Sequence, residues 1–564
     1  MTQPGEHVSK ILASSASGTT LLIIVQITSR LFTFIANQLI LRTLSPAILG
    51  IGTQLDLYFL SILYFSRESM RITIQRQPLH ATSAATINEG RPDSICGNAN
   101  RKIQPHTILS QSVVNMSYLS LGMGVPSALT FGTLYVYFAS QEVSQTPFYH
   151  VGVAITTIAS LMELSVEPFF VVAQQYMLYK NRAVVETVAA FIKSLTVCSL
   201  FTWAACTSRD LGVLPFALGY FCYSVALICG YSITIPKLTR QWRFSLLLTK
   251  IKSSDSSIYL ANRFPRRLVA LSTNIFFQSI LKHLLTQGDA MMLAAMTSLE
   301  DQGIYSLASN YGGLVARVLF QPIEENSRTV FSSLLNSGEQ YTSNVNVAKA
   351  HLVDILRAYG ILAVLIFPLG PYLLPRVLLI LGGHMWASPE VGSLLSLYCY
   401  YIPFLAFNGI TEAFVSSAAS PSDLRRQACW MGVFSASFAL TAYLFLKIGG
   451  LGAHGLVCTN MVNMAVRTAW SFIFLRSYFH RHDSSLTLAE FTIRPQTWIA
   501  GALSSIILTR QDYKDTSYHG LVKALIFSAC YCLLIISLER KYFTTLYTRV
   551  CRTINSRSKI TKME

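Results

Sequence analysis

The chain has 564 residues, of which 52% are hydrophobic and only 13% are charged. Soluble domains carry about 25% charged residues, so the composition excludes an ordinary soluble enzyme or binding domain. The formal net charge is +17, from 44 Lys and Arg against 27 Asp and Glu. Such a charge could indicate a nucleic-acid partner, and its distribution along the chain decides whether it does.

Long apolar runs recur from one end of the chain to the other, each close to the roughly 20 residues that a helix needs to cross a bilayer. The start, MTQPGEHVSK, lacks the basic leader and small-residue cleavage site of a signal peptide. We therefore expect the run from about Thr19 to be the first span. The sequence predicts an all-α polytopic membrane protein with about 14 transmembrane helices. The predicted spans are 18–42, 51–70, 112–139, 148–176, 184–206, 211–235, 270–296, 303–330, 350–380, 391–418, 428–447, 450–475, 496–509 and 520–538.

Lys and Arg concentrate in every second loop. With the N-terminus in the cytosol, the cytosolic loops include 71–107, which begins with Arg71, the loop with Lys180 and Arg182, 236–268 and the basic C-terminal tail. The opposite loops hold only Arg209, Lys447, Arg510 and Lys514. Cytosolic loops of membrane proteins carry this excess of positive charge. We therefore predict that both termini are cytosolic, and the net charge requires no nucleic acid.

Residues 303–328 combine an apolar run with four charged side chains. Helical spacing places a polar stripe on one face, and it comprises Ser306, Asn310, Gly313, Arg317, Gln321, Glu324 and Arg328. Leu307, Leu314, Val318 and Leu319 are expected on the opposite face. A charge at the centre of a membrane helix costs about 2.5–3.5 kcal/mol. The stripe is therefore either an internal ion pair between Arg317 and Glu324 or the wall of a wet, ligand-binding cavity.

Other predicted spans also carry polar side chains at helical spacing. They are Arg30 and Asn37, Arg67 and Glu68, Glu163 and Glu167 beside the potential helix breaker Pro168, Lys282 and Asp289, Asn408 and Glu412, and Asn460 and Arg467. Each group alone is explained by helix–helix hydrogen bonds or by a local pair such as Lys282 with Asp289. Together, cations in both halves favour an anionic headgroup, plausibly a diphosphate, because Arg donates two parallel hydrogen bonds to phosphate.

Motifs of enzymes are missing from the sequence. It contains no GxSxG, HExxH or P-loop and no Cys/His cluster at metal spacing. We therefore predict no catalytic residue, no metal and no cofactor. The only sequon, Asn115-Met116-Ser117, lies at the edge of a predicted span, so we expect it to be unused.

Several sequence blocks resemble the Rft family of endoplasmic-reticulum proteins, which act in translocation of lipid-linked oligosaccharide for N-glycosylation. The blocks are SRLFTFIANQLILRTLSPAILGI at 29–51, SRES at 66–69, ILKHLLTQGDAMML at 280–293, DQGIYSLASNYGGLVARVLFQPIEE at 301–325, YYIPFLAFNGITEAF at 400–414 and HGLVCTNMVNMAVRT at 454–468. The resemblance implies two six-helix lobes plus two C-terminal helices. We accordingly expect lobes at 1–235 and 269–476, a cytosolic linker at 236–268, and two extra spans with a basic tail at 477–564.

The resemblance also implies a function: a dolichyl-diphosphate-linked, mannose-rich oligosaccharide moves from the cytosolic to the lumenal leaflet, with membrane lipids and glycosylation-pathway proteins as partners. The predicted substrate-binding residues are Arg30, Asn37, Arg67, Lys282, Arg317 and Arg467. The predicted gating or charge-balancing acids are Glu68, Glu163, Glu167, Asp289, Glu324 and Glu412. Two alternatives stay open: a non-transporting factor that binds or presents the lipid-linked oligosaccharide, and a cation-coupled antiporter of small molecules.

Overall fold

The computed structural model describes residues 44–75, 104–175, 178–235, 245–251, 259–335, 341–382, 386, 388–509 and 518–544. The contacts divide the chain into two compact units, Met1–Ala294 and Ala295–Glu564. The unit boundary lies near the end of a helix that the sequence analysis assigned to the second lobe. The lobe boundaries implied by the family resemblance stay a prediction.

Unit 1 is a bundle of helices, named here in chain order. They are α1 (Pro46–Gln75), α2 (Gln104–Tyr137), α3 (Gln141–Ser144), α4 (Tyr149–Leu164), α5 (Glu167–Gln175), α6 (Tyr179–Thr207), α7 (Leu214–Thr234) and α8 (Arg266–Met296). Helix α1 packs on α2, while α7 packs on both α4 and α6. Met70, Val114, Val172 and Leu227 are buried in the core cluster that these helices form.

The fourth predicted span is broken, as the sequence allowed. Helices α4 and α5 meet at a bend of 40°. Pro168 has no backbone N–H for the carbonyl of Leu164, and its ring would clash with that carbonyl in a continuous helix. Helix α4 therefore ends at Leu164, and Pro168 is accommodated in the first turn of α5, where no intrahelical N–H bond is required.

Residues 245–251 and a two-strand hairpin are fixed to helix α2. The strands β1 (Tyr259–Leu260) and β2 (Phe264–Pro265) are antiparallel, with Leu260 opposite Phe264. The fully buried Asn115 donates to the carbonyls of Thr249 (2.7 Å) and Arg263 (2.9 Å), and its Oδ1 accepts from the backbone N–H of Thr249. Because the acceptor amide of the sequon is buried and bonded, this supports the expectation that the sequon is unused.

Unit 2 contains the second set of helices. They are α9 (Leu299–Val315), a π-helical stretch (Ala316–Phe320), α10 (Gln321–Leu335), α11 (Tyr341–Gly382), α12 (Pro389–Ala418), α13 (Pro421–Ala442), a second π-helical stretch (Tyr443–Ile448), α14 (Gly452–Arg481), α15 (Leu488–Phe491), α16 (Pro495–Thr509) and α17 (Tyr518–Leu538). Three of these helices, α9, α12 and α13, are preceded by a serine N-cap: Ser298, Ser388 and Ser420. Each serine side chain accepts a hydrogen bond from a backbone N–H of the first turn. The core centres on Phe414, which contacts Phe331 and Phe479.

The described helices agree closely with the predicted spans. Each span from 51–70 onward overlaps a helix or a bent helix pair, whereas the span 18–42 lies outside the described residues. Within the described part, seven helices are long and apolar enough to cross a membrane, or up to nine if each bent pair counts as one span. The protein is therefore a helical multi-pass membrane protein, and the total of about 14 stays a prediction.

A buried carboxylate holds the C-terminal helices of unit 2 together. Glu539, directly after α17, is 0% exposed. It accepts hydrogen bonds from Arg357 Nη2 (2.9 Å), Thr497 Oγ1 (2.9 Å) and the backbone N–H of Arg494 (3.1 Å). One side chain thus joins α11, the start of α16 and the end of α17.

Replacing Glu539 with Ala should lower the free energy of unfolding by about 2–4 kcal/mol, because Arg357, Thr497 and the backbone N–H of Arg494 would together lose a buried acceptor. The measurement is thermal and denaturant unfolding of the detergent-solubilised protein. Glu390→Ala, which removes an exposed acid from the first turn of α12, is the control and should change stability by less than about 1 kcal/mol. Equal effects of both variants would contradict this role of Glu539.

Candidate functional site

The predicted site residues are distributed over both units and beyond the described residues. Arg30 and Asn37 lie outside the described part of the chain. Arg317 lies in the π-helical stretch Ala316–Phe320, and its side chain is likewise outside the description. The structure therefore leaves the expected roles of these three residues as predictions.

The π-helical stretch changes the predicted stripe of residues 303–328. A π-turn closes its hydrogen bond five residues on instead of four, so the residues after it are rotated away from regular α-helical spacing. Leu307 is 2% exposed, whereas Val318 and Leu319 are 67% and 42% exposed. The π-helical stretch interrupts the constant rotation on which the two faces were predicted, so the faces stay a prediction beyond Ala316.

Arg67 on α1 binds two carboxylates that flank the break between α4 and α5. Its Nη1 donates to Glu163 Oε1 at 2.6 Å and to Glu167 Oε1 at 3.3 Å. Arg71, one turn further along α1, donates to both oxygens of Glu167, with Nε 3.0 Å from Oε2. The sequence spacing explains the match, because Arg67 with Arg71 and Glu163 with Glu167 are both pairs four residues apart.

This ion-pair network forms one wall of a cavity of about 200 Å³ inside unit 1, named here the charged chamber. The chamber is lined by side chains of α1, α4, α5, α6 and α7 and by Val166 at the helix break. The lining residues are Arg67, Arg71, Glu163, Val166, Glu167, Phe170, Arg182, Glu186, Tyr223, Leu227 and Tyr231. Such a volume holds about six or seven waters at about 30 Å³ each.

The charged chamber opens toward the start of α6. The side chains of Glu163 and Glu167 are 6% and 2% exposed, whereas those of Arg182 and Glu186 are 31% and 38% exposed. At this end the guanidinium groups of Arg71 and Arg182 lie 3.6 Å and 4.4 Å from the ring centre of Phe170. These cation–π contacts tie α5 to both α1 and α6.

The other predicted residues of unit 1 form a separate, more exposed pair. Lys282 on α8 lies 3.3 Å from Glu68 Oε1 on α1, and its side chain is 61% exposed. Asp289 accepts a hydrogen bond from the backbone N–H of Ala290. Lys282 thus pairs across helices with Glu68, and the alternative pair of Lys282 with Asp289 is not the one that forms.

In unit 2, Arg467 of α14 donates to Glu412 Oε2 of α12 at 2.8 Å. Asn408, one turn before Glu412, donates to the same oxygen at 3.3 Å. Glu324 of α10 lies against the backbone of Gly409, where an added Cβ would come within 1.8 Å of Glu324 Oε1. A side chain at position 409 would therefore require the Glu324 carboxylate to move.

Eight of the eleven residues that line the chamber were not predicted from the sequence. Arg71 and Arg182 were counted as loop charges, and the others were not singled out: Val166, Phe170, Glu186, Tyr223, Leu227 and Tyr231. The available signal was the spacing of Arg182 and Glu186, which form an i,i+4 pair at 2.8 Å. Within the described residues, no group of three or more His, Cys, Asp or Glu side chains is placed to hold a metal ion.

Comparison with known proteins decides the family. The model of the family described as "Rft protein" matches residues 14–549. The chain belongs to the Rft family. This Rft protein is 35% identical to a Man(5)GlcNAc(2)-PP-dolichol translocation protein RFT1 of Yarrowia lipolytica, over 88% of the chain and 75% of that protein. Proteins of the same description from Saccharomyces cerevisiae and Mus musculus are 31% and 28% identical, covering 84% of the chain in each case and 85% and 84% of those proteins.

The fold of this Rft protein also resembles that of solved transporters. A lipid II flippase MurJ in an inward closed conformation matches with a TM-score of 0.58, 11% identity and coverage of 93% of the chain and 100% of the flippase. An inward-facing multidrug resistance transporter of the MATE family matches with a TM-score of 0.54 and 14% identity, covering 79% of the chain and 94% of the transporter. At these identities the likeness shows the fold alone.

Arg67→Leu should lower the free energy of unfolding by about 3–5 kcal/mol, because Glu163 and Glu167 would stay buried with less compensation. Adding Glu163→Gln should restore part of this loss, so the two changes should be non-additive. The measurement is a double-mutant cycle of unfolding in detergent. Arg209→Leu, at an exposed position after α6, is the control. Strictly additive losses would contradict a direct Arg67–Glu163 interaction.

Proposed function

We propose that this Rft protein translocates the dolichyl-diphosphate-linked, mannose-rich oligosaccharide from the cytosolic to the lumenal leaflet of the endoplasmic-reticulum membrane for N-glycosylation. The observation that carries the proposal is the likeness to proteins named for translocation of Man(5)GlcNAc(2)-PP-dolichol, which extends over most of both chains. The fold supports it, because it is also the fold of a lipid II flippase. Both termini are proposed to lie in the cytosol.

The proposed mechanism is alternating access, in which two helical lobes expose a polar site first to one leaflet and then to the other. The diphosphate carries the strongest charge of the substrate, so its contacts must be cations that carboxylates do not already neutralise. Arg30 and Arg317 lie in the family blocks and are the proposed diphosphate contacts, with Asn37 in the same block as Arg30. Lys282 is a further candidate although Glu68 lies 3.3 Å away, because its side chain is 61% exposed and an exposed ion pair holds its cation only weakly.

The acids are proposed to balance charge when the substrate is absent. Glu163 and Glu167 do so for Arg67, and Glu412 does so for Arg467. Substrate binding at Arg67 or Arg467 would have to displace these partners. Glu68, Asp289 and Glu324 complete the proposed gating set. The sequence carries no P-loop, so we propose that an ion gradient or consumption of the lipid in the lumen drives net transport.

One observation favours the second candidate, a non-transporting factor that binds or presents the lipid-linked oligosaccharide. The predicted cations whose side chains are described, Arg67, Lys282 and Arg467, each have a carboxylate partner. A static, internally neutralised bundle could hold a glycan without carrying a diphosphate across the membrane. The experiment below separates the two candidates.

Vesicles of defined lipid composition, with and without the purified protein, should be given fluorescent lipid-linked oligosaccharide, and leaflet exchange should be measured by chemical quenching. Wild type should accelerate exchange, and Arg317→Ala should slow it by about tenfold or more, as expected when a charge-assisted contact to phosphate is lost.

Arg425→Ala, at an exposed position in the first turns of α13, is the matched control and should exchange at the wild-type rate. Tight binding of the lipid without accelerated exchange would reject translocation and support the presenting factor. Exchange that is unaffected by Arg317→Ala would remove Arg317 from the substrate site.

A further inference from the structure

We propose that the charged chamber of unit 1 binds a sugar ring of the glycan, through its hydroxyl groups, instead of the diphosphate. The proposal rests on the proposed function, because the relatives' substrate supplies the glycan. The proposed carbohydrate subsite opens on the side of unit 1 where α6 begins. The predicted topology places this side toward the cytosol.

The charges inside the chamber balance one another. The chamber holds three guanidinium groups, from Arg67, Arg71 and Arg182, and three carboxylates. Each guanidinium lies 2.8 Å or less from a carboxylate oxygen. A diphosphate entering this space would meet compensated cations and the repulsion of the acids. A neutral ligand with hydroxyl groups would incur no such repulsion.

One residue of the chamber wall also carries an unsatisfied hydrogen-bond acceptor. Glu163 is only 5% exposed, and its Oε1 accepts a hydrogen bond from Arg67. Its Oε2 is buried and has no hydrogen-bond partner among the described residues, so a ligand donor reaches it only when the neighbouring side chains shift. An ionised carboxylate only accepts hydrogen bonds, so the missing group is a donor. A sugar hydroxyl is a donor, whereas a fully ionised phosphate is not.

The remaining surface and the size of the chamber also suit a sugar ring. Tyr223 and Tyr231 present apolar rings with polar hydroxyls, and Phe170 adds an apolar ring near the opening. Sugar rings have the same mixture of polar edges and apolar faces. A cavity of about 200 Å³ is below the roughly 300–1,000 Å³ of sites for drug-sized molecules. It therefore suits one ring at the end of a glycan and excludes the whole branched oligosaccharide.

The orientation of the chamber fits an early step of translocation. Its exposed opening is formed by Arg182 and Glu186, and its floor by Glu163 and Glu167. In the relatives' substrate name the mannose residues stand farthest from the diphosphate. A terminal mannose could therefore enter from the exposed end while the diphosphate stays at another position.

The test uses the full-length protein in detergent micelles and the free glycan Man5GlcNAc2, which has neither diphosphate nor lipid. Binding is measured by saturation-transfer NMR and by calorimetry, with inorganic pyrophosphate and tetraethylammonium as competitors. Wild type should bind the glycan, and Glu163→Gln should weaken binding by about tenfold. Tyr223→Phe, which removes only a hydroxyl and retains the ion pairs, should weaken it severalfold. Glu390→Gln, far along the sequence in unit 2, should bind as wild type.

Competition at the chamber identifies the ligand class. Loss of glycan signal on adding pyrophosphate in wild type, but not in Glu163→Gln, would overturn the proposal in favour of a phosphate site. The same pattern with tetraethylammonium would overturn it in favour of a cation site. Equal glycan binding by wild type, Glu163→Gln and Tyr223→Phe, all verified as folded by circular dichroism, would also overturn it.

The vesicle assay separates this proposal from the proposed function. Glycan binding that depends on Glu163 without accelerated lipid exchange would reject translocation and retain the sugar subsite. Accelerated exchange that is the same in wild type, Glu163→Gln and Tyr223→Phe, with no detectable glycan binding, would retain translocation and reject the subsite.

Discussion

The hydrogen bonds of Arg67 to Glu163 and Glu167 are the interaction on which the organisation of unit 1 depends. A guanidinium group within an apolar bundle is costly unless carboxylates compensate it nearby. The two acids stand on either side of the helix break that Pro168 requires. Arg67 therefore connects α1 to both pieces of the broken span, and the polar atoms gathered there leave space that side chains do not fill. The charged chamber follows from these two constraints together.

The sequence was sufficient to locate the helices because the bilayer fixes their length. A run of roughly 20 apolar residues satisfies its backbone hydrogen bonds within the membrane only as a helix, so length and composition determine the element. The break before Pro168 could also be predicted, since a proline removes a specific hydrogen bond. The π-helical stretch at Ala316–Phe320 could not be predicted from helical spacing. Helical spacing presupposes a constant rotation per residue, which is the property that a π-turn changes.

Side-chain partners were harder to predict than helices. Helical spacing relates residues of one helix, whereas Lys282 bonds to Glu68, 214 positions away. The sequence offered Asp289 as a nearer partner, but that carboxylate bonds to the backbone N–H of Ala290. Arg71 and Arg182 were assigned to loops because charges near span ends usually mark topology. Their guanidinium groups instead contact Phe170 and line the chamber, which only the packing of α1, α5 and α6 could reveal.

The predicted cations whose side chains are described are paired with carboxylates. The residues that bind the substrate's diphosphate and those that bind its sugars should therefore be sought separately. A membrane protein can bury arginines either to attract an anion or to stabilise its own bundle, and the position of the nearest carboxylate distinguishes these uses. Arg67 and Arg467 have carboxylate partners at 2.6 Å and 2.8 Å, so neither offers an uncompensated charge to a phosphate. A polar cavity whose charges are balanced can still bind a substrate that is mostly sugar. Recognition of the glycan and of the diphosphate is therefore best treated as two separate problems, solved by different residues.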